Sequence, residues 1–192
     1  GSTSGSKLVE WFLMVARKLK KALYSVGGLV VDAILVGSGI GKTFQWIPWA
    51  ICLALDTYQW TSGNYGSDTE FKESSTFWKI LNIGFHILGM MTTGFLAKSA
   101  RKLFGPIKFL KKESQIAAWV AKNPAAQKVL VKINGLLSGT GSWLNKASKF
   151  ISNKMPKLGG WFSGLIGGVS KVTNTIGTFI GKILKAPKAI GT

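Results

Sequence analysis

Acidic residues are the scarcest resource in this chain: seven Asp and Glu stand against 25 Lys and Arg in 192 residues, a formal net charge of +18 at pH 7. The mixed-sign surface of an ordinary soluble domain cannot be built from that inventory, and an excess of one sign implies an anionic partner. Arginine is scarce as well. Arg17 and Arg101 are the only two, so the excess is lysine, which supplies a field and not the bidentate forks that read bases or clamp phosphates. With Cys52 the single cysteine, no internal disulfide exists, and its apolar neighbours predict a buried, inert thiol. His86 is the single histidine. Neither a metal cluster nor a nucleophile–His–acid arrangement assembles from one His, one Cys and scattered carboxylates, so no catalytic residue, metal ligand, cofactor or small-molecule substrate is expected, and the protein is read as not an enzyme.

Apolar residues, by contrast, are plentiful. They make up 46% of the chain, only 17% is charged, and the mean hydropathy is +0.24, more apolar than an ordinary soluble domain. Two long apolar segments, 29–55 and 77–97, flank a polar connection at 61–75 that holds Asp68, Glu70 and Glu73. The pattern predicts an all-α fold: an apolar helical hairpin over 26–98 with an acidic connection, flanked by amphipathic basic helices. The first segment is interrupted by the glycines of 37–41 and by Pro48, and it carries Asp32 and Lys42. It is therefore a poor membrane span and reads as two short helices or a re-entrant element. The stretch 80–97 has no formal charge and is the best candidate span. Trp46, Trp49, Trp60 and Trp78 gather near the acidic connection, where an aromatic belt would sit if the hairpin entered a bilayer.

Ahead of the hairpin, 1–6 reads as a flexible linker and 7–25 as an amphipathic helix. Its apolar positions are Leu8, Trp11, Phe12, Val15, Leu19 and Leu23, and its cations Arg17, Lys18, Lys20 and Lys21 suit the C-terminal end of the helix dipole. Such a helix either packs on a neighbour or lies in a membrane interface. The absence of Met at position 1 fits a processed product, a fragment or a cloning remnant equally.

Behind the hairpin, 99–192 is a Lys- and Gly-rich amphipathic helical region. A basic stretch, with Arg101, Lys102, Lys108, Lys111 and Lys112 around a break at Gly105 and Pro106, follows the candidate span as a juxtamembrane cluster would. No acidic residue occurs after Glu113. Asn123 as N-cap with Pro124 at the first helical position opens one helix, Gly139 and Gly141 stop it, and Ser142 caps the next, which ends at Pro156. A final stripe includes Phe162 and Phe179. Along it Gly160, Gly164 and Gly168 recur every four residues, as do Gly177 and Gly181, a spacing that admits a closely approaching helix; the alternative is a flexible glycine-rich tail.

One motif imitates nucleotide chemistry. Gly37 to Thr43 resembles a phosphate-binding loop, but three residues separate Gly37 from Gly41 where four are required for the loop to wrap phosphates with its amides. Nucleotide hydrolysis is set aside in favour of a glycine-mediated helix break. Asp32 and Asp56 are read as structural ion-pair partners within an apolar setting.

Through 31–65 and 76–98 together with the Lys/Gly-rich tail, the chain resembles hydrophobic helical virion proteins of tailed bacteriophages, of the tape-measure or ejected internal type. That resemblance implies a virion component delivered into the host cell envelope, where it inserts in or lines a passage. The alternatives are an internal structural protein of a large assembly with non-specific nucleic-acid contacts, and a pore-forming toxin or bacteriocin domain, which is similar in the same features and would be secreted or membrane-associated. The partners expected are anionic membrane lipid, other subunits of an assembly, and nucleic acid bound without sequence preference. Membrane-facing candidates are Trp11, Phe12, the four tryptophans of the hairpin, Phe162 and Phe179; lysines 18, 20, 21, 102, 108, 111 and 112 with Arg101 are the candidates for anion contact.

Overall fold

A helix with apolar residues on every face must be enclosed by other elements, and 76–91 is such a stretch. The computed structural model describes residues 2–25 and 44–191, with side chains over 6–25 and 44–185, and among these it is all-α, without a strand. The helices are α1 (Ser2–Leu23), α2 (Ile47–Ser62), α3 (Thr69–Glu73), α4 (Thr76–Met91), α5 (Gly94–Phe104), α6 (Glu113–Ala121), α7 (Pro124–Leu136), α8 (Thr140–Lys154) and α9 (Pro156–Gly191). Asp32, Lys42, the glycines of 37–41 and the loop-like motif lie outside the described residues.

Every residue of α4 from Phe77 to Met90 is buried. The helix packs against α2, α5, α7, α8 and α9, so the most apolar stretch of the chain is the axis of the core. Trp49 near the start of α2 meets α4 near its end, which makes the pair antiparallel. The approach is close because Gly89 and Gly94 lack side chains: a Cβ on Gly89 would collide with the Trp49 indole, and one on Gly94 would lie 2.9 Å from its Nε1.

Five expectations change here. The stretch 80–97 is not one span, because Thr93 adopts an extended backbone and its hydroxyl accepts a bond from Leu96 N–H (3.1 Å), capping α5 and ending α4 two residues earlier. Sixteen residues give α4 a length of about 24 Å, short of the ~30 Å hydrocarbon layer, and among the described residues no helix is long and apolar enough to cross a membrane. The hairpin tryptophans do not form a belt: Trp49 and Trp78 are buried and Trp46 and Trp60 are half-buried. On α1 the buried face is Phe12, Leu13, Ala16 and Leu23, while Trp11 and Val15 are exposed. Positions 8–16 are apolar on more than one side, and packing against α2 chooses which side is covered. The helix also begins at Ser2, so the stretch expected as linker supplies its first turn. Finally, Ser142 lies inside α8, whose N-cap position is Gly139.

Other local signals hold. Asn123 Oδ1 accepts from Ala126 N–H at 3.2 Å at the start of α7, Asp68 caps α3, and Ser75 caps α4. Gly105 and Pro106 break the basic stretch with a 3₁₀ turn. The long α9 packs on α1, α2, α4, α6, α7 and α8, closing the lysine-rich half over the apolar pair.

Candidate anion-binding surface and the ion-pair cluster beneath it

Apolar packing of α1 on α2 brings the cationic end of α1 over Asp56, the one buried acidic residue among the described residues. Lys20 Nζ lies 2.7 Å from Asp56 Oδ1 and 2.7 Å from Asp68 Oδ2. Asp56 is fully buried, and its second oxygen is 3.0 Å from His86 Nδ1. Gln59, also buried, donates to Asp68 (2.9 Å) and accepts from Arg17 Nε (2.8 Å). Arg17 further donates to the Asn64 carbonyl (3.2 Å). One chain of polar contacts therefore ties α1 to α2, α4 and the connection before α3.

Burial pulls the Lys20 ammonium down, and Asp56 and Asp68 more than offset it, leaving its pKa above the ordinary value. For Asp56 burial acts upward, but Lys20 and then His86 draw the carboxyl below its usual range. Burial lowers His86, against the opposing pull of Asp56. With Lys20 as the counter-charge, Asp56 is ionised and His86 neutral at pH 7, its proton assigned to Nδ1, the nitrogen facing the carboxylate. Both ring nitrogens and Asp56 Oδ2 are buried without a well-aligned hydrogen bond among the described residues, so the 3.0 Å His86–Asp56 contact acts through charge. Cys52 is buried and its thiol is pushed up by burial, as an inert thiol requires. No group of three or more potential metal ligands occurs among the described residues.

Above this cluster the second arginine enters. Arg101 of α5 stacks 4.2 Å over the Tyr24 ring and donates to Glu70 at 3.0 Å. Tyr24 in turn meets the edge of Trp49. Its hydroxyl and Arg101 Nε are buried without hydrogen-bond partners among the described residues, and burial raises the Tyr24 pKa. The end of α1, residues 67–70 and Arg101 enclose an open groove of about 530 Å³.

The expected site residues therefore divide. Lys18, Lys21, Lys102, Lys111 and Lys112 are exposed, whereas Lys20 is committed to Asp56 and Asp68 and Arg101 to the exposed Glu70. Lys108 and Lys111 line a smaller cleft with Glu70 and Glu73, and Lys108 sits 5.1 Å over the Phe109 ring. Of the aromatic candidates only Trp11 is exposed, at 46%; Phe12 and Phe162 are buried against one another, and Phe179 packs half-buried on Phe77. Gly160, Gly164, Gly168 and Gly181 face open space, and Gly177 alone of the five meets a neighbour, Leu137, at 3.3 Å. Four of these five glycines therefore mark no helix contact among the described residues; closer approaches fall on glycines outside the spacing, among them Gly89 and Gly94 against Trp49 and Gly159 against Ser152.

Two features escaped the sequence reading. Phe95 and Phe109 are the most exposed large apolar side chains among the described residues, at 75% and 81%; the lysines around them were the available signal. Arg17 and Tyr24 join the polar cluster, and no local pattern pairs them with residues forty to eighty positions away. Every lysine described from Lys122 to Lys185 is exposed, with no acidic residue among them. Comparison with protein-family models, curated proteins and solved structures finds no match to this chain.

Proposed function

We propose that this is a non-enzymatic, cationic helical protein that docks on anionic membrane surfaces through its lysine-covered exterior, as a virion component of the tailed-phage type acting at the host envelope. The observation that carries the reading is the distribution of charge. Asp56 and Asp68 are paired with Lys20 and the exposed Glu70 with Arg101, while the surface from Lys122 to Lys185 carries one sign only. Each lysine close to an anionic leaflet contributes ~1 kcal/mol, so a handful suffices for binding. Exposed Trp11, Phe95 and Phe109 amid cations suit the headgroup region of a bilayer. Lysine in place of arginine favours attraction to a charged surface over readout of a base sequence. The described parts of the apolar segments, α2 and α4, belong to the folded core, which supports docking at the interface over passage through the bilayer.

Co-sedimentation with vesicles tests it. Binding to anionic and not to neutral vesicles, reversed by high salt and without release of trapped dye, is the expected result. Equal binding to both lipids would overturn it. Tighter binding to nucleic acid than to anionic vesicles at the same salt would assign the lysines to a nucleic-acid partner instead, and dye release would mean that the core opens and inserts.

A further inference from the structure

The chain contains two arginines, 84 positions apart, and both line the same groove. A lysine-rich protein with no other guanidinium has placed each of its bidentate donors at one spot. Lys18, Lys20 and Lys21 line it too, against two carboxylates, Asp68 and Glu70. Those carboxylates are already spoken for: Asp68 accepts from Lys20 and Gln59, and Glu70 accepts from one Arg101 nitrogen. Among the described residues Arg17 bonds only neutral oxygens, those of Gln59 and Asn64, and has no acidic partner. Lys18 and Lys21 are exposed on the rim.

The groove is also held in shape. Gly66 adopts φ +52°, and a Cβ there would lie 2.5 Å from the Arg17 guanidinium; only glycine allows the connection to close over that side chain. The Arg101 guanidinium is stacked on Tyr24.

We propose that this groove is a binding site for a phosphomonoester or pyrophosphate group. The volume of about 530 Å³ is that of a small-molecule site. A phosphomonoester offers three acceptor oxygens and a charge near −2 at pH 7, which matches convergent forks and ammonium groups. A nucleic-acid diester carries a single charge per phosphate and needs an extended track, whereas this site is one pocket bounded by α1, α3 and α5. The inference deepens the surface-docking reading and rests on its anionic partner: the ligand is either a phosphomonoester lipid headgroup or a soluble phosphate compound.

Calorimetric titration with inorganic pyrophosphate at 0.15 M salt tests the site directly. The probe variant is Lys18→Gln/Lys21→Gln, since both side chains are exposed and neither is bonded among the described residues; Lys128→Gln/Lys132→Gln on α7 removes the same charge elsewhere. Saturable binding that weakens tenfold or more in the groove variant and less than twofold in the α7 variant is expected. No pyrophosphate binding, or equal losses in both variants, would overturn the site. Vesicles of phosphatidate and of phosphatidylglycerol at matched charge identify the source: a phosphatidate preference abolished by the groove variant assigns the lipid headgroup, and pyrophosphate binding without that preference assigns a soluble phosphate. Retained vesicle binding with no pyrophosphate binding removes the groove alone, whereas loss of binding to every anionic vesicle removes the docking reading.

Discussion

Replacing Lys20 with Met would leave Asp56 as a carboxylate in the core with a neutral histidine as its nearest neighbour. Asp56 is fully buried and the Lys20 side chain is only 11% exposed, so the pair is shielded from water and from salt. Removing one partner of a buried pair costs about 3–5 kcal/mol, because the charge left behind is desolvated without compensation. The second acceptor of Lys20, Asp68, worsens the case by leaving another carboxylate nearby. Urea unfolding followed by tryptophan fluorescence reads the effect. With a slope of about 2 kcal/mol per M, the midpoint at pH 7 moves down by roughly 1.5–2.5 M. The pH dependence supplies a second signature. In the variant, burial acts on Asp56 without Lys20 to oppose it, so its folded pKa rises above the ordinary value and the penalty fades as pH falls through it. In the parent protein Asp56 is held below that value, so its contribution is present above about pH 4 and lost on acidification. The two stabilities therefore converge in acid. A Lys20→Met protein within about 0.5 kcal/mol of the parent at pH 7 would refute the ion-pair account, as would a gap that widens toward low pH.

Two further outcomes follow from the same packing. His86 has a folded pKa below its ordinary 6.5, so its contribution to stability is complete above that pH and declines as pH falls through the lowered folded value. The slope is at most about 1.4 kcal/mol per pH unit; urea midpoints that stay flat between pH 7 and 5 would contradict a buried neutral imidazole. Gly164 faces open space on α9 whereas Gly89 is covered by Trp49, so thermal unfolding should show Gly164→Ala gaining about 1 kcal/mol and Gly89→Ala losing about 1–3 kcal/mol. A loss at Gly164 would mean that its face is in contact after all.

Period and punctuation in the chain were enough to specify helices, since 3.6-residue stripes, the Asn123–Pro124 start and the Gly105–Pro106 break act within a few residues. Charge counting was enough to specify a cationic exterior, because seven acids cannot pair with 25 cations however the chain folds. Hydrophobicity alone could not say what would cover the apolar stretches. A run such as 77–90 satisfies a bilayer and a protein core equally well, and the choice was made by Thr93 ending α4 and by five surrounding helices. Which side of α1 is covered, which glycines are crowded and which are open, and the meeting of Arg17 with Arg101 were likewise invisible along the chain. Each depends on elements far apart in sequence packing at ångström range, and a local pattern carries no information about the partner.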